Sequence, residues 1–414
     1  MTGAGNTVRV PPPVELLGQK IARRLLLGAF ALAFAGLAGG AVFVFLKKPH
    51  IAYSATSRLA DLTYLKIWLA MTAIGIIATL GRKWLPLSFA IVLLLAAEGG
   101  SQIFYLARTG LPYQPAPAES EQKFEPHPLL VGIPKTGSFA GIVQDSLHRR
   151  RTDNPAKVEN PKHIFVFGGS TTYDLANDDL ATWASDLSRL LGKDFAVENL
   201  GVPGYTSLEN LIQSLFAFRD SAPACALYFE GFNDLRNAHI RTLKADYSDF
   251  HLPSQVSNLG LARPGFVVNN SLFLRMMLSI FSSGLVPPAG EASDQVDQHL
   301  AGIFFENMKL IAAIDHHFGV KAIFVPEMAN FRRLTSDRIR GWLPLVRDKD
   351  IERLLLAMDR DLEQAAEESG AVYLGAPLAQ EWSDGDFTDD VHFSAAGAMK
   401  FAQSLAKDVA ELCR

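Results

Sequence analysis

Lys162-His163-Ile164-Phe165-Val166-Phe167-Gly168-Gly169-Ser170 runs from an unbroken apolar stretch into two glycines and a serine. Four consecutive apolar residues, Ile164–Phe167, ended by a turn signal, read as a short strand buried on both faces. The same pattern recurs at Phe195–Leu200, Ala224–Phe229, Val320–Val325 and Ala371–Leu374. Helical periodicity fills the gaps, at Leu180–Leu191, Ser207–Arg219, Ala301–Phe318, Ile351–Ser369 and Ser394–Leu412. Thr206 and Glu209 have the spacing of a capping box and mark where the second of these helices starts. Such alternation implies an α/β fold, a parallel sheet with right-handed crossovers and helices on both faces. Reactive groups in such sheets lie beyond the carboxyl ends of the strands.

Four segments meet that condition. Gly168-Gly169-Ser170-Thr171 follows the first strand; it reads as a turn that exposes a hydroxyl or as a plain Gly/Ser turn. It lacks the G-x-x-x-x-G-K-[ST] pattern of a phosphate loop. Asn199 to Thr206 follows the second strand, and there Gly204 could present a bare N–H. Glu230-Gly231-Phe232-Asn233-Asp234 follows the third, where Asn233 is either an amide donor or an ordinary turn residue. Asp389-Asp390-Val391-His392 precedes the last helix, and a carboxylate three residues before an imidazole can hold one tautomer. Of ten histidines only His392 combines these features; His316 and His317 read as a solvated helix face. Asp384 and Asp386 lack the glycine and closing glutamate of a calcium loop. No metal or cofactor is expected.

The order G-x-S, N-x-x-x-x-G, G-x-N-D, D-x-x-H resembles the four blocks of the SGNH (GDSL-like) serine hydrolases over about residues 160–414. The resemblance implies a three-layer, flavodoxin-like fold and an esterase acting on acyl esters, O-acetyl esters among them. It implies Ser170 as nucleophile, His392 as base and Asp389 as orienting carboxylate, with the Ser170 and Gly204 amides and the Asn233 side chain forming an oxyanion hole. Two other functions stay open: O-acyl transfer to an envelope glycan or lipid, and a non-catalytic assembly role on the same scaffold. One departure stands out, since Gly169 occupies the position where the family usually has Asp.

The N-terminal third has a different chemistry. Hydrophobic residues make up 49% of the 414, and the excess lies early in the chain. Leu25–Leu46, about Leu62–Leu80 and about Leu85–Leu106 are each long enough to cross a bilayer as helices, with Arg82 and Lys83 forming a tight link between the last two. An uncleaved signal peptide is the rival for the first. Gly36, Gly39 and Gly40 offer close helix approach. Glu98, a carboxylate at membrane depth, is costly and often functional there, but it lies only about nine residues before Arg108, near the outer interface, and its role stays open between structure and function. Residues 1–110 carry 11 Lys/Arg against 3 Asp/Glu, leaving 28 basic and 40 acidic residues in the remainder. So acidic a domain repels phosphate backbones, and no nucleic-acid partner is expected. Basic residues before the first span and between the second and third place the catalytic part outside, on the periplasmic side of a bacterial inner membrane. Residues 1–108 thus read as a transmembrane anchor. Residues 109–160 read as an extended linker with one strand pair, and 161–414 as the catalytic domain. An insertion at about 236–298, with apolar stretches Leu272–Phe281 and Leu285–Pro288, is either a lid or inert. Cys225 reads as a small core residue; a bridge to Cys413 stays open.

Overall fold

The computed structural model describes residues 13–46, 55–109, 113, 115, 122–139, 141–155, 157–261, 265–279, 289–339 and 342–414. In chain order, helices α1 (Pro13–Leu46), α2 (Ala55–Leu80) and α3 (Leu85–Thr109) precede two hairpins. These are β1 (Phe124–His127) with β2 (Val131–Pro134), and β3 (Gly137–Phe139) with β4 (Ile142–Gln144). Next come β5 (Lys162–Gly168), α4 (Ser170–Tyr173), α5 (Trp183–Leu191), β6 (Phe195–Asn199), α6 (Ser207–Asp220), β7 (Cys225–Glu230) and α7 (Phe232–Leu235). The remainder is α8 (His251–Asn258), α9 (Phe266–Asn269), α10 (Leu272–Ser279), α11 (Gln298–His317), β8 (Lys321–Pro326), α12 (Asp348–Ser369), β9 (Val372–Tyr373) and α13 (Ala395–Leu412). The chain divides into two compact units. One comprises Met1–Lys48, Ser57–Pro115 and Pro264–Leu278; the other comprises Pro49–Thr56, Ala116–Arg263 and Ser279–Arg414.

The second unit is built on a five-stranded, all-parallel sheet in the order β6-β5-β7-β8-β9. This is the flavodoxin-like order, in which the chain winds one way from the first strand and then the other. Alternate side chains of each strand enter opposite cores. Phe165, Phe167, Tyr228 and Phe324 pack with Phe304, Met308, Leu355 and Leu362 under α11 and α12. Ile164, Val166, Leu227 and Phe229 pack with Trp183, Leu187, Phe401 and Leu405 of α5 and α13. Burial on both faces explains why these strands are continuous apolar runs. The capping box at Thr206 and Glu209 is present. The helix expected from Leu180 starts only at Trp183, because Thr182 caps it and Asp179–Ala181 is a tighter 3₁₀ turn.

One expectation needs correction, and two that stayed open gain detail. First, residues 124–150 form two hairpins rather than an extended linker with one pair. Their end is locked by the buried Arg150, which pairs with Asp179 and donates to the Tyr173, Asp174 and Asn177 carbonyls. A guanidinium there supplies positive charge at the C-terminus of α4. Second, within the insertion Pro264–Leu278 belongs to the unit containing α1–α3. Leu285–Pro288 lies outside the described residues. Third, Cys225 lies in the core, and the bridge that stayed open is present: it is bonded to Cys413, tying β7 to the residue after α13.

In the first unit Leu26, Phe30, Tyr64, Trp68, Ile91 and Leu95 form the core. Among the described residues two segments, Leu62–Leu80 and Arg82–Ala107, are long and apolar enough to cross a membrane. The expected first span, Leu25–Leu46, lies in α1, and its residues 38–46 have side chains outside the described set. Close approach occurs at Gly75, where a Cβ would lie 2.2 Å from the Phe30 ring, whereas Gly36 has nothing within 4 Å.

The disulfide closes a loop across 188 residues of sequence. Chain-entropy reasoning makes such a bond worth about 2–5 kcal/mol. A Cys225→Ala/Cys413→Ala variant should therefore melt at a lower temperature than the wild type. The wild type, denatured without reductant, should bind no maleimide.

Candidate active site

β5 ends at Gly168, and the chain turns through Gly169 into α4, so Ser170 stands at the start of a helix above the carboxyl edge of the sheet. β5 has β6 on one side and β7 on the other. Strand order therefore reverses at the serine, the usual place for a ligand crevice. The Ser170 hydroxyl donates to His392 Nε2 at 2.8 Å, across 222 residues of sequence. His392 Nδ1–H donates to Asp389 Oδ2 at 2.7 Å. The other oxygen of Asp389 accepts the His392 and Val391 amides at 2.7 and 2.8 Å. Its carboxylate is thus fully engaged, and the ring can turn neither way without losing a bond.

Charge follows the same geometry. Burial pushes the Asp389 carboxyl up, but His392 and the two amides outweigh it and hold it below its ordinary range. Burial also pulls the His392 imidazole down. The charge and hydrogen bond of Asp389, with the carboxylates of Asp174 and Glu327, hold it above its ordinary value instead.

Asn233 is the second residue of α7, in the turn that follows β7, and is 4% exposed. Its side-chain amide donates to the Tyr205 carbonyl at 2.8 Å, which leaves the second amide hydrogen available. A Cβ at position 169 would lie 2.1 Å from that amide nitrogen. With Asn233 in this position, any larger residue at 169 would require the Asn233 amide to shift. Gly204 has φ +84°, a conformation that favours glycine, and a Cβ there would meet the Gln255 side chain at 2.4 Å. Among the described residues neither the Ser170 nor the Gly204 N–H has a hydrogen-bond partner. The five residues singled out from the sequence thus arise from the ends of β5, β6 and β7 and the loop before α13.

The solved structures to which the chain is similar include a GDSL-like lipase and an acetylxylan esterase. TesA is 15% identical, with 61% of this chain covering 99% of that one at a TM-score of 0.38. The GDSL-like lipase from Bacteroides thetaiotaomicron is 12% identical, with coverage of 61% and 90% and a TM-score of 0.35. A catalytic mutant of the acetylxylan esterase Axe2 from Geobacillus stearothermophilus is 12% identical, with coverage of 61% and 96% and a TM-score of 0.35. No family model and no curated protein matches the sequence. At these scores the likeness carries no weight of its own.

Sequence reasoning missed Glu327. It follows β8 and is fully buried, accepting the Thr171 hydroxyl at 2.7 Å and the Phe232 amide at 2.8 Å. One carboxyl thereby links the residue after Ser170 to the residue before Asn233. The strand-end rule pointed to its position, but no spacing motif marks it. Burial pushes its pKa up to about 7, against the pull of those two hydrogen bonds. Asp384 and Asp386 turn out to be paired, with Arg333 and Lys400.

Below the site lies a second acid with no such support. Asp359 is buried, both of its oxygens lack a partner among the described residues, and burial pushes its pKa up to about 8. A raised folded-state pKa gives stability that is present below the unfolded value and lost as pH climbs through the folded one. Asp359→Asn should accordingly raise the melting temperature at pH 8.5 and leave it nearly unchanged at pH 4. An equal effect at both values would mean that the carboxyl is not held protonated by its surroundings.

Proposed function

We propose that this protein is a membrane-anchored serine esterase that hydrolyses acyl esters through Ser170, His392 and Asp389. The 2.8 Å hydrogen bond from the Ser170 hydroxyl to an imidazole held by Asp389 carries this reading. Ser170 Oγ attacks the ester carbonyl as His392 Nε2 takes its proton, and Asp389 stabilises the imidazolium. The oxyanion then accepts hydrogen bonds from the Ser170 and Gly204 amides and the free hydrogen of the Asn233 amide. His392 returns the proton to the leaving alcohol, which leaves an acyl-serine. Water, deprotonated by His392, attacks that ester and releases the acid. Nothing in this sequence calls on a cofactor.

In this reading residues 1–108 form an anchor of about three helices in a bacterial inner membrane, supported by two segments, Leu62–Leu80 and Arg82–Ala107, that are long and apolar enough to span it. The Cys225–Cys413 bond supports a periplasmic catalytic domain, since disulfides persist in oxidising compartments. A site held at the outer face of that membrane also suits acyl transfer to an envelope glycan or lipid, in which a sugar hydroxyl takes the place of water. Ester hydrolysis remains the primary reading because water is the acceptor that needs no further site.

Three measurements test the scheme. Ser170→Ala should abolish labelling by a fluorophosphonate probe and burst release from 4-nitrophenyl acetate; persistent labelling would place the nucleophile elsewhere. Asn233→Ala should lower kcat by on the order of 10²–10³, the usual cost of one oxyanion donor. The third is a pH profile. Since His392 must be neutral to act, its raised pKa sets the acid limb of kcat/KM. Asp389→Asn should move that limb to lower pH while reducing the plateau.

A further inference from the structure

Residues 265–279 lie between two stretches of the catalytic unit, yet they pack with α2 and α3. Glu98 of α3 makes the connection. Its buried carboxylate accepts the Leu272 amide at 2.9 Å, the Phe273 amide at 3.0 Å and the Ser271 hydroxyl at 2.9 Å, together with the Tyr64 hydroxyl of α2. Two of these donors are orphan amides in the first turn of α10. A carboxylate from another helix therefore acts as the cap and meets the positive end of the helix dipole. The Trp68 indole N–H donates to the Asn270 carbonyl at 3.0 Å, and the Tyr113 hydroxyl to the Asn269 carbonyl at 2.9 Å. The Asn270 amide closes back on the Phe266 carbonyl at 2.9 Å.

In water a helix start and its preceding turn are satisfied by solvent. In hydrocarbon they must be met by protein, which is how this segment is met. The depth agrees. Glu98 is 16 residues beyond Arg82 on the same candidate span, about 24 Å along a helix, against a hydrocarbon thickness of about 30 Å. The outer side of the segment is apolar and bare, with Phe266 68% and Val267 66% exposed, and Met277 and Leu278 exposed as well. Leu93 and Phe104 of α3 present the same kind of surface.

We infer that residues 265–279 form a re-entrant segment, docked on α2 and α3 through Glu98, that turns Phe266, Val267, Met277 and Leu278 toward the acyl chains of a lipid bilayer. This rests on the proposal that α2 and α3 cross the membrane, and it gives the insertion and Glu98 a shared role. The part of the insertion that looked most like a lid belongs instead to the anchor.

Because Cys225 and Cys413 are bonded to each other, a single added cysteine can be labelled selectively. The full chain carrying an NBD fluorophore at V267C, L278C, L93C or E367C would be reconstituted in phosphatidylethanolamine–phosphatidylglycerol vesicles, with and without nitroxide-labelled lipid. Positions 267 and 278 should be quenched as strongly as 93, while 367, exposed on α12, should not be quenched. Quenching at 93 alone overturns the proposal and leaves the anchor standing. No quenching at 93 removes the anchor reading and the proposal with it. Protection of 267 that vanishes on dilution into excess lipid assigns this face to a second copy of the chain, which also overturns the proposal. Glu98→Leu should abolish quenching at 278, and Glu98→Gln, which keeps one acceptor oxygen, should retain most of it. Unchanged quenching in Glu98→Leu would show that the carboxylate does not hold the segment.

Discussion

The hydrogen bond between the Ser170 hydroxyl and His392 Nε2 sets a demand that the rest of the catalytic unit meets. It needs a serine from the first strand of the sheet and an imidazole from beyond the last to arrive within 2.8 Å. Because the strands are parallel, all of them end at the same edge, and the reversal of strand order at β5 opens that edge beside the serine. α13 then packs on α5 through Trp183, Phe401 and Leu405, which fixes the helix that follows the His392 loop. The disulfide holds the far end of the same helix to β7. Loops carry the reacting groups, but packed elements aim them.

A second constraint comes from the small space between the loops. Gly169 lies so near the Asn233 side-chain amide that a Cβ there would require the amide to shift. That proximity ties the turn before the serine to the third strand end, and Glu327 ties the same two loops from beneath. The arrangement concentrates acids. Asp174, Asp234 and Glu327 are fully buried, and burial raises the pKa of each. Low dielectric strengthens the Asp389–His392 pair, and it also makes each neighbouring charge count in the imidazole's protonation. The strength of the Asp389–His392 pair and the cost of burying acids thus come from one source.

The two units obey different solvent rules. In the catalytic unit apolar side chains face inward on both sides of the sheet. In the helical unit large apolar side chains such as Leu32, Ile77 and Phe89 lie outside while Glu98 lies inside. A buried carboxylate there is stable because five donors converge on it, from Tyr64, Gln102, Ser271, Leu272 and Phe273. Charge satisfied at this density needs no water.

Much of the catalytic fold was legible in the residues themselves, since strand burial, capping and turn chemistry are local properties. Apolar runs at Ile164–Phe167 and Ala224–Phe229 read as strands, and Thr206 with Glu209 read as a helix start; Ser170, Asn233 and His392 stood out by following or preceding such elements. Relations between distant residues were not legible, because they depend on which surfaces meet. Glu327 has no motif, and its importance arises from two donors 156 and 95 residues away. Arg150 read as part of a linker because nothing nearby announces a buried cation; its partners lie across 23–29 residues, on the turn after the serine. The Cys225–Cys413 bond and the seating of residues 265–279 on α2 and α3 belong to the same class. Sequence determined the elements and their chemistry, because periodicity and propensity act over a few residues. Tertiary structure alone decided which polar groups found partners, because burial makes that choice only when the surfaces are in place.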